Sequence, residues 1–388
     1  MTRTVQFKRL ARLNYGDAIP QEDQGRGNVP VFGSNGAFTI CDEANTLAPV
    51  VLLGRKGSFG KTNWSDVPCW ATDTTFFVDQ RNASVDLRWL YWALQTLGLD
   101  AESAEAAVPG INREEVYEKR LPEVSAELQK RTAAYLDNST GLIDRLLATK
   151  SRLLDLLAEK RRVVIADFLT KGLNKDAPRR DSGIPWLGDI PEHWDVERAK
   201  WLFTERDDRS DSGDEELLTV SHLTGVTSRA EKDVNMFMAE SLEGYKRCQS
   251  GDLVINTLWA WMGAMGVARQ PGIVSPAYNV YQPVAQLDPE YVDFLVRTPR
   301  FVEEITRYSK GVWSSRLRLY PEGLYEAWLP VPPLDEQRAI MKHVQIETKK
   351  LDVLAATTKR TIALLQERRS ALISAAVTGQ LEIGEATV

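Results

Sequence analysis

Two stretches of this chain, residues 121–173 and 329–381, align with each other without a gap at a constant offset of 208 positions. Identity between them is modest, but the register never breaks. The matched pairs include Leu121 with Leu329, Gln129 with Gln337, Asp144 with Asp352, Arg161 with Arg369, and Thr170 with Thr378. A chain with such a duplication can fold as a pseudo-dimer, because each copy offers the other a partner of matching length and pattern.

Apolar side chains recur every seven residues in both copies, and a polar residue interrupts both series at the same step. The apolar members are Leu136, Ile143, Leu157 and Val164 in the first copy, and Val344, Leu351, Leu365 and Leu372 in the second. Leu146 and Leu354 add a second position three residues after Ile143 and Leu351, which is the a/d spacing of a coiled coil. We predict two long helices that bury these side chains against each other. Residues 137–141 are poor helix formers, but their counterpart is helix-compatible, so we expect a continuous first helix with a weak point.

Composition predicts a soluble, cytoplasmic protein of two to three domains, since nothing resembles a signal peptide and no apolar run reaches the ~18 residues of a membrane span. The three cysteines (Cys41, Cys69 and Cys248) are scattered, which suits a reducing compartment and offers no zinc spacing. Three widely separated histidines make a histidine-based metal centre improbable. The net charge of −6 argues against a global basic surface for nucleic acid, although it allows a local one.

Two regions of mixed composition flank the first helix, and each alternates short β-rich runs and glycine-rich turns with a short helix. We therefore predict a mixed α/β (α+β) chain in five segments: a globular domain over 1–120, a long helix over 121–173, a linker over 174–189, a second globular domain over 190–328, and a long helix over 329–388. Residues 205–216 carry seven acids against two arginines, which predicts a solvated loop unsuited to facing phosphate.

Residues 54–62 follow a β-rich run and have the composition of a phosphate-binding P-loop. That motif needs a glycine five positions before the glycine of Gly60-Lys61-Thr62, but position 55 is arginine. Residues 63–68 also predict a turn rather than the helix whose N-terminus would hold phosphate. We therefore reject nucleotide hydrolysis and interpret the stretch as a tight basic loop that can reach DNA phosphates and base edges, the alternative being an ordinary basic surface turn.

Methyl transfer is rejected on similar grounds. The chain has no Asn-Pro-Pro-aromatic or Asp-Pro-Pro-aromatic tetrapeptide with which an amino-methylating enzyme holds its target base. Nor does a doubly wound β/α succession follow the glycine-containing run 31–36. We therefore predict that the chain carries no catalytic machinery.

Several blocks are more specific than these patterns. Leu-Pro-Val-Pro-Pro-Leu-Asp-Glu-Gln-Arg opens the last helix at 329–338, and Leu-Leu-Gln-Glu-Arg-Arg-Ser-Ala-Leu-Ile at 364–373 and Val-Thr-Gly-Gln-Leu at 377–381 close it. Residues 182–194 form a Gly-, Pro- and Trp-rich entry to the second globular region, and 54–58, 70–74 and 108–113 are short motifs of the first. Together these blocks resemble the specificity (S) subunit of type I restriction-modification systems, over nearly the whole chain.

The resemblance implies two target recognition domains at opposite ends of an antiparallel pair of long helices. Each domain would read one half of a bipartite, asymmetric sequence in double-stranded DNA, and the helices would set the unread spacer. The helices would also dock two modification subunits, which bind S-adenosylmethionine and methylate adenine, while restriction subunits would use ATP and Mg²⁺. This chain itself would be non-catalytic and would bind no cofactor and no metal. It departs from the pattern at its first helix entry, 121–129, which lacks the double proline of Pro332-Pro333.

We select basic, polar and aromatic residues of the two globular regions as DNA contacts, noting that the stretches 50–65 and 310–318 contain no acid. They are Asn35, Arg55, Lys56, Ser58, Lys61 and Arg113 in the first domain, and Trp259, Tyr278, Lys310, Trp313, Ser314, Ser315, Arg316 and Arg318 in the second. Lysines and arginines would mostly hold phosphates, whereas Asn35, the serines and some arginines would read bases. The alternative for the tryptophans is core packing. The alternative for the whole chain is a coiled-coil interaction module whose globular ends bind something other than DNA.

Overall fold

A computed structural model describes residues 3–19, 24–100, 110–231, 241–311 and 317–383. The chain forms two compact units. Unit 1 comprises Met1–Leu153 and Thr358–Val388, and unit 2 comprises Leu154–Thr357. Each unit therefore combines one globular region with part of each long helix. Among the described helices, none is long and apolar enough to cross a bilayer.

Unit 1 is built on a four-stranded antiparallel sheet in the order β2-β8-β5-β6, with a second sheet in the order β4-β3-β7. Its strands are β1 (Thr4–Gln6), β2 (Asn14–Tyr15), β3 (Val29–Gly33), β4 (Gly36–Cys41), β5 (Val50–Gly54), β6 (Thr62–Ser65), β7 (Trp70–Ala71), β8 (Thr75–Asp79) and β9 (Arg120–Pro122). Its helices are α1 (Leu87–Leu94), α2 (Arg113–Glu118) and the first part of α3 (Ala126–Lys171). Strands β5 and β8 are buried along their whole length, as their Val, Leu and Phe side chains predict.

Unit 2 repeats this plan with the sheet order β13-β20-β17-β18. Its strands are β10 (Arg179–Asp181), β11 (Asp189–Pro191), β12 (Asp195–Arg198), β13 (Phe203–Arg206), β14 (Leu218–Ser221), β15 (Gly225–Ser228), β16 (Lys246–Cys248), β17 (Leu253–Asn256), β18 (Met265–Val267), β19 (Gly272–Val274), β20 (Tyr278–Pro283) and β21 (Trp328–Val331). Its helices are α4 (Ala199–Leu202), α5 (Pro289–Leu295), α6 (Pro299–Tyr308), α7 (Pro321–Glu326) and the first part of α8 (Leu334–Val377). Helices α7 and α8 begin 208 residues after α2 and α3, so the repeat extends upstream of residue 121.

A buried glutamine docks the short helix of each unit on its long helix. In unit 1, Gln129 Oε1 accepts the backbone N–H of Asp86, the N-cap of α1, at 2.8 Å, and its Nε2 donates to the Val124 carbonyl at 3.0 Å. In unit 2, Gln337 makes both bonds at 2.8 Å, to the N-cap Asp288 and to Pro332. The helix entry without a double proline therefore reaches the same local arrangement.

The first long helix is continuous through residues 137–141, which confirms the prediction. Asp137 lies in this stretch and accepts hydrogen bonds from Arg88 Nε at 2.8 Å and from Trp92 Nε1 at 2.9 Å, both on α1. Thr140 hydroxyl donates to the Leu136 carbonyl one turn back. Contacts with α1 thus support residues whose intrinsic helix propensity is low.

Matching ion pairs join α3 and α8 in both units. In unit 1, Arg369 Nε lies 2.8 Å from Asp144 Oδ1, and in unit 2, Arg161 Nε lies 3.4 Å from Asp352 Oδ1. The second pair is the first shifted by 208 positions, with the two helices exchanging roles. Farther along α3 in unit 2, the Phe168 ring lies 4.6 Å from that of His343, which precedes Asp352 on α8, so the helices run antiparallel.

The seam between the long helices differs in part from the prediction. Of the eight predicted core residues, Leu136, Ile143, Leu157 and Val344 are buried, whereas Val164, Leu351, Leu365 and Leu372 are half-buried. The prediction that Leu146 and Leu354 add a seam position is wrong, because these side chains are 49% and 46% exposed. The inward positions instead lie four residues after members of the series. Thr140 follows Leu136, Thr348 follows Val344 and Ile362 follows Thr358, and all three side chains are at least half-buried. A heptad alternates steps of three and four residues. The leucines at 146 and 354 suggested the step of three, whereas the buried side chains follow the step of four.

Candidate nucleic-acid interface

A tight turn of basic residues joins β5 to β6 in unit 1. Gly54 N–H donates to the Lys61 carbonyl at 2.8 Å, and Gly60 N–H donates to the Gly54 carbonyl at 2.9 Å. Gly60 has φ of 76°, and a Cβ there would lie 2.5 Å from the Asp100 nitrogen, so the close approach requires glycine. The prediction of a turn over 63–68 is wrong in its first half, because strand β6 covers Thr62–Ser65. No helix begins there, so the helix N-terminus that a P-loop requires does not follow this loop.

Two predicted contact residues converge on a tyrosine that the sequence did not single out. The Arg55 guanidinium carbon lies 5.0 Å from the centre of the Tyr15 ring, and that of Arg113 lies 5.3 Å from the same ring. Tyr15 is 44% exposed and packs edge-on against Phe76. We call Tyr15, Arg55 and Arg113 the arginine–tyrosine cluster. It holds two guanidinium groups against one aromatic ring, and Arg113 also lies 3.6 Å from Glu114. Guanidinium groups held in this way can bind phosphate or guanine edges.

The remaining predicted residues of unit 1 lie around the same turn. Lys61 Nζ donates to both the carbonyl and the side-chain oxygen of Asn35 at 2.8 Å, which joins the β5–β6 turn to the β3–β4 turn. Lys56 pairs with Gly110 through an isolated β-bridge, and Lys56, Ser58 and Asn35 are exposed. All six residues predicted for this domain therefore lie on or beside one pair of adjacent turns.

The corresponding turn of unit 2, between β17 and β18, carries Trp259. This side chain is 51% exposed, so core packing does not account for it. The backbone N–H of Leu319 donates to the Thr257 carbonyl at 3.0 Å, just as Ile111 N–H donates to Arg55 at 3.0 Å in unit 1. Lys310 and Arg318 exchange two backbone hydrogen bonds of 2.9 Å beside this contact. Three of the predicted residues of unit 2, Trp259, Lys310 and Arg318, are thus carried by connected loops.

The other predicted residues of unit 2 are less informative. Tyr278 begins β20, is half-buried, and packs against the apolar cluster around Val254, and this burial raises the pKa of its hydroxyl. Packing gives a sufficient reason for its aromatic ring, so its DNA contact stays a prediction. Trp313, Ser314, Ser315 and Arg316 lie outside the described residues.

The acidic segment of unit 2 is held more firmly than its composition predicted. Arg247 contacts Asp208, Asp211 and Glu215, with its Nε 2.7 Å from Glu215. Hydrogen bonds from Ser210 and Arg247 lower the pKa of Glu215 to about 2. The sequence shows the acids within 205–216 but not their contact with Arg247, which lies more than thirty positions away. The β-bridge between Arg209 and Lys246 brings the two segments together.

The chain is similar over nearly its full length to known proteins of one kind. No family model matches it. It is 22% identical to the type I restriction enzyme EcoBI specificity subunit of Escherichia coli, covering 98% of this chain and 84% of that protein. The chain is thus similar to a type I specificity subunit over nearly its whole length.

Solved structures share the fold. A chain of a type I restriction-modification complex superposes with a TM-score of 0.68 at 13% identity and covers 98% of both chains. The HsdS subunit from Thermoanaerobacter tengcongensis gives a TM-score of 0.50 at 13% identity, with 98% and 97% covered. The predicted fold class, two globular domains with an antiparallel pair of long helices and an internal repeat, is confirmed.

Proposed function

We propose that this chain is the DNA-recognition subunit of a type I restriction-modification complex and has no catalytic role of its own. Unit 1 and unit 2 would each read one half of a bipartite, asymmetric sequence in double-stranded DNA. The observation that carries the proposal is the duplication of one sheet whose equivalent turns display different side chains. Base readout depends on the particular side chains presented, so one scaffold with two sets of tips suits two unlike half-sites.

The turns of unit 1 fit a DNA groove chemically. Arg55, Lys56 and Lys61 supply positive charge at one place on a chain whose net charge is −6, and Arg113 beside them is paired with Glu114 at 3.6 Å. Exposed Asn35 and Ser58 supply neutral donors and acceptors beside them. Phosphate contacts fix the position of a protein on the duplex, and short polar groups can then reach base edges.

We also propose that the long helices dock two modification subunits. Leucines exposed on the helices are themselves related by the 208-residue offset: Leu146 corresponds to Leu354, and Leu156 to Leu364. Unit 1 carries Leu146 and Leu364, whereas unit 2 carries Leu156 and Leu354. Each unit therefore offers the same apolar pair to solvent, which fits two copies of one partner.

The remaining chemistry belongs to other chains in this proposal. S-adenosylmethionine would be bound by the modification subunits, and ATP and Mg²⁺ by restriction subunits. A reducing cytoplasm suits Cys41, Cys69 and Cys248, which are buried thiols.

Sequence enrichment from random duplexes tests the proposed function. The chain, alone and with its modification subunit, is incubated with a random duplex pool at several salt concentrations, and bound DNA is sequenced. Enrichment of two fixed blocks separated by an unread spacer supports a bipartite reader. If the reconstituted complex enriches no sequence, the proposed function is rejected in favour of an interaction module that binds something other than DNA.

A further inference from the structure

The two pairs of turns can be compared residue by residue through their hydrogen-bond registers. Gly54 pairs with Thr75 at the end of β5, and Asn256 pairs with Tyr278 at the end of β17. The residues that follow, Arg55 and Thr257, accept equivalent backbone bonds from Ile111 and Leu319. Counted forward from these bonds, Leu258 and Trp259 take the places of Lys56 and Gly57. The turn of unit 2 is one residue longer, because Asn256 N–H donates to Ala264 whereas Gly54 N–H donates to Lys61.

The β14–β15 turn of unit 2 corresponds to the β3–β4 turn of unit 1 and is also changed. Asn35 is exposed at the tip in unit 1, whereas the tip in unit 2 holds Leu223, which is 76% exposed. The turns are adjacent in unit 2 as well, since a Cβ built on Gly263 would lie 3.9 Å from the Cβ of His222. Leu223 and Leu258 thus take the places of Asn35 and Lys56, and with Trp259 we call them the apolar tips. Exposed His222 and Thr224 lie on either side of Leu223.

Among the residues of unit 2 that the structure describes, which leave out 232–240 and 312–316, none forms a counterpart of the arginine–tyrosine cluster. Strand register aligns Tyr15 with Asp207, because Asn14 and Arg206 pair with the corresponding Phe77 and Val280. Pro321 begins α7 where Arg113 begins α2. The nearby cation, Lys246, is buried and lies 3.7 and 3.8 Å from Glu205 and Asp207, so acids neutralise it.

We propose that the apolar tips of unit 2 read thymine C5-methyl groups of its half-site in the major groove. This inference rests on the proposed function. Thymine is the base that presents an apolar group in that groove, and exposed leucine and tryptophan match it where arginine and asparagine would not. Lys310 and Arg318 beside the tips supply the phosphate contacts that position the domain.

Replacing thymine by uracil tests the contact without changing the protein. Once the two blocks are known, each is synthesised with deoxyuridine at its thymines, which removes the methyl and keeps the Watson–Crick edge. Burying one methyl-sized group contributes ~0.8 kcal/mol, or about fourfold in affinity. Uracil in the block read by unit 2 should weaken binding about fourfold for each contacted methyl, whereas uracil in the other block should change it less than twofold.

Variants identify the tips as the source of the effect. Leu223→Ala and Trp259→Ala should each reduce the thymine-to-uracil affinity ratio at particular positions of that block. Val284→Ala and Trp201→Ala are matched controls, since both residues are exposed apolar side chains of unit 2 outside these turns, and the ratio should be unchanged.

The outcomes separate the two proposals. If the block read by unit 2 contains no thymine, or if uracil in that block does not reduce affinity, the inference is overturned and the proposed function still stands. Tip variants that abolish co-purification with the modification subunit also overturn it, since the tips would then contact protein. Failure to enrich any sequence overturns the proposed function, and the inference falls with it.

Discussion

Tyr15 contacts two predicted DNA-binding residues, Arg55 and Arg113, in the candidate interface. Arg55 could be selected from the sequence because it stands in an acid-free loop, and Arg113 because it closes the short motif 108–113, but nothing in the sequence connects them to residue 15. Their meeting depends on β2 pairing with β8 and on α2 beginning beside the β5–β6 turn. The basic character of Arg55 and Arg113 was therefore predictable from the sequence, whereas their contact with Tyr15 was not.

Replacing residues of this cluster should weaken DNA binding in a graded way. Arg55→Ala should reduce the slope of log affinity against log salt by about one if the guanidinium holds a phosphate. Tyr15→Ala should cost ~0.5–1 kcal/mol of binding through lost cation–π support, and Tyr15→Phe should retain most of it. Fluorescence anisotropy with a fixed duplex measures both quantities. Arg9→Ala is the control, because Arg9 is exposed outside these contacts; equal losses for Arg9 and Arg55 would refute a specific role.

Repeated elements were predicted better than their exact packing. The 208-residue offset located both long helices, and it also relates Gln129 to Gln337. It could not show that these amides bind the N-caps of α1 and α5, since α1 and α5 lie outside the aligned segments. The heptad pattern likewise found the helices but misplaced one seam position, because exposed and buried leucines look alike in a sequence.

Removing a docking amide should loosen one short helix and spare the other. Gln129→Ala leaves the partly buried N–H of Asp86 and carbonyl of Val124 without their partner, which should lower stability by ~1 kcal/mol. Hydrogen exchange should show reduced protection in α1 but not in α5, and Gln337→Ala should give the reverse. Gln366→Ala, at an exposed position of α8, should change neither. Uniform loss of protection in both helices would contradict local docking.

The acidic segment of unit 2 should remain attached well below neutral pH. Because the folded-state pKa of Glu215 is lowered to about 2, its contribution to stability is fully present above its unfolded pKa and is lost as pH falls through the folded value. NMR titration of the Glu215 side chain should give a midpoint near 2 in the native chain. Arg247→Ala should raise that midpoint, and a native midpoint near 4.3 would disprove the contact.

In the whole molecule, the duplication supplies two units of the same plan within one chain. Each long helix enters both units, and the same ion pair and the same exposed leucines occur twice. The sequence predicted this plan and its family resemblance. It did not predict that the equivalent turns differ in polarity, because that comparison needs the strand registers of both sheets.

Charging the exposed leucines should prevent assembly without unfolding the chain. Leu146→Asp with Leu354→Asp places one acid in each unit on an apolar exposed position, and co-purification with a modification subunit should be lost while circular dichroism is unchanged. Ala148→Asp with Ala356→Asp is the matched control, because these exposed positions follow by two residues and point to another side of each helix. Retained assembly of the leucine variant would place docking elsewhere.

The proposed function requires that the two units of one chain read separate half-sites. Sequence enrichment with a variant in one unit at a time tests this requirement. The reconstituted complex is prepared with Arg55→Ala or with Trp259→Ala, and the enriched blocks are compared with those of the unchanged chain. Arg55→Ala should relax one block and Trp259→Ala the other, with the spacer length unchanged. Relaxation of both blocks by either variant, or of neither, would contradict the account.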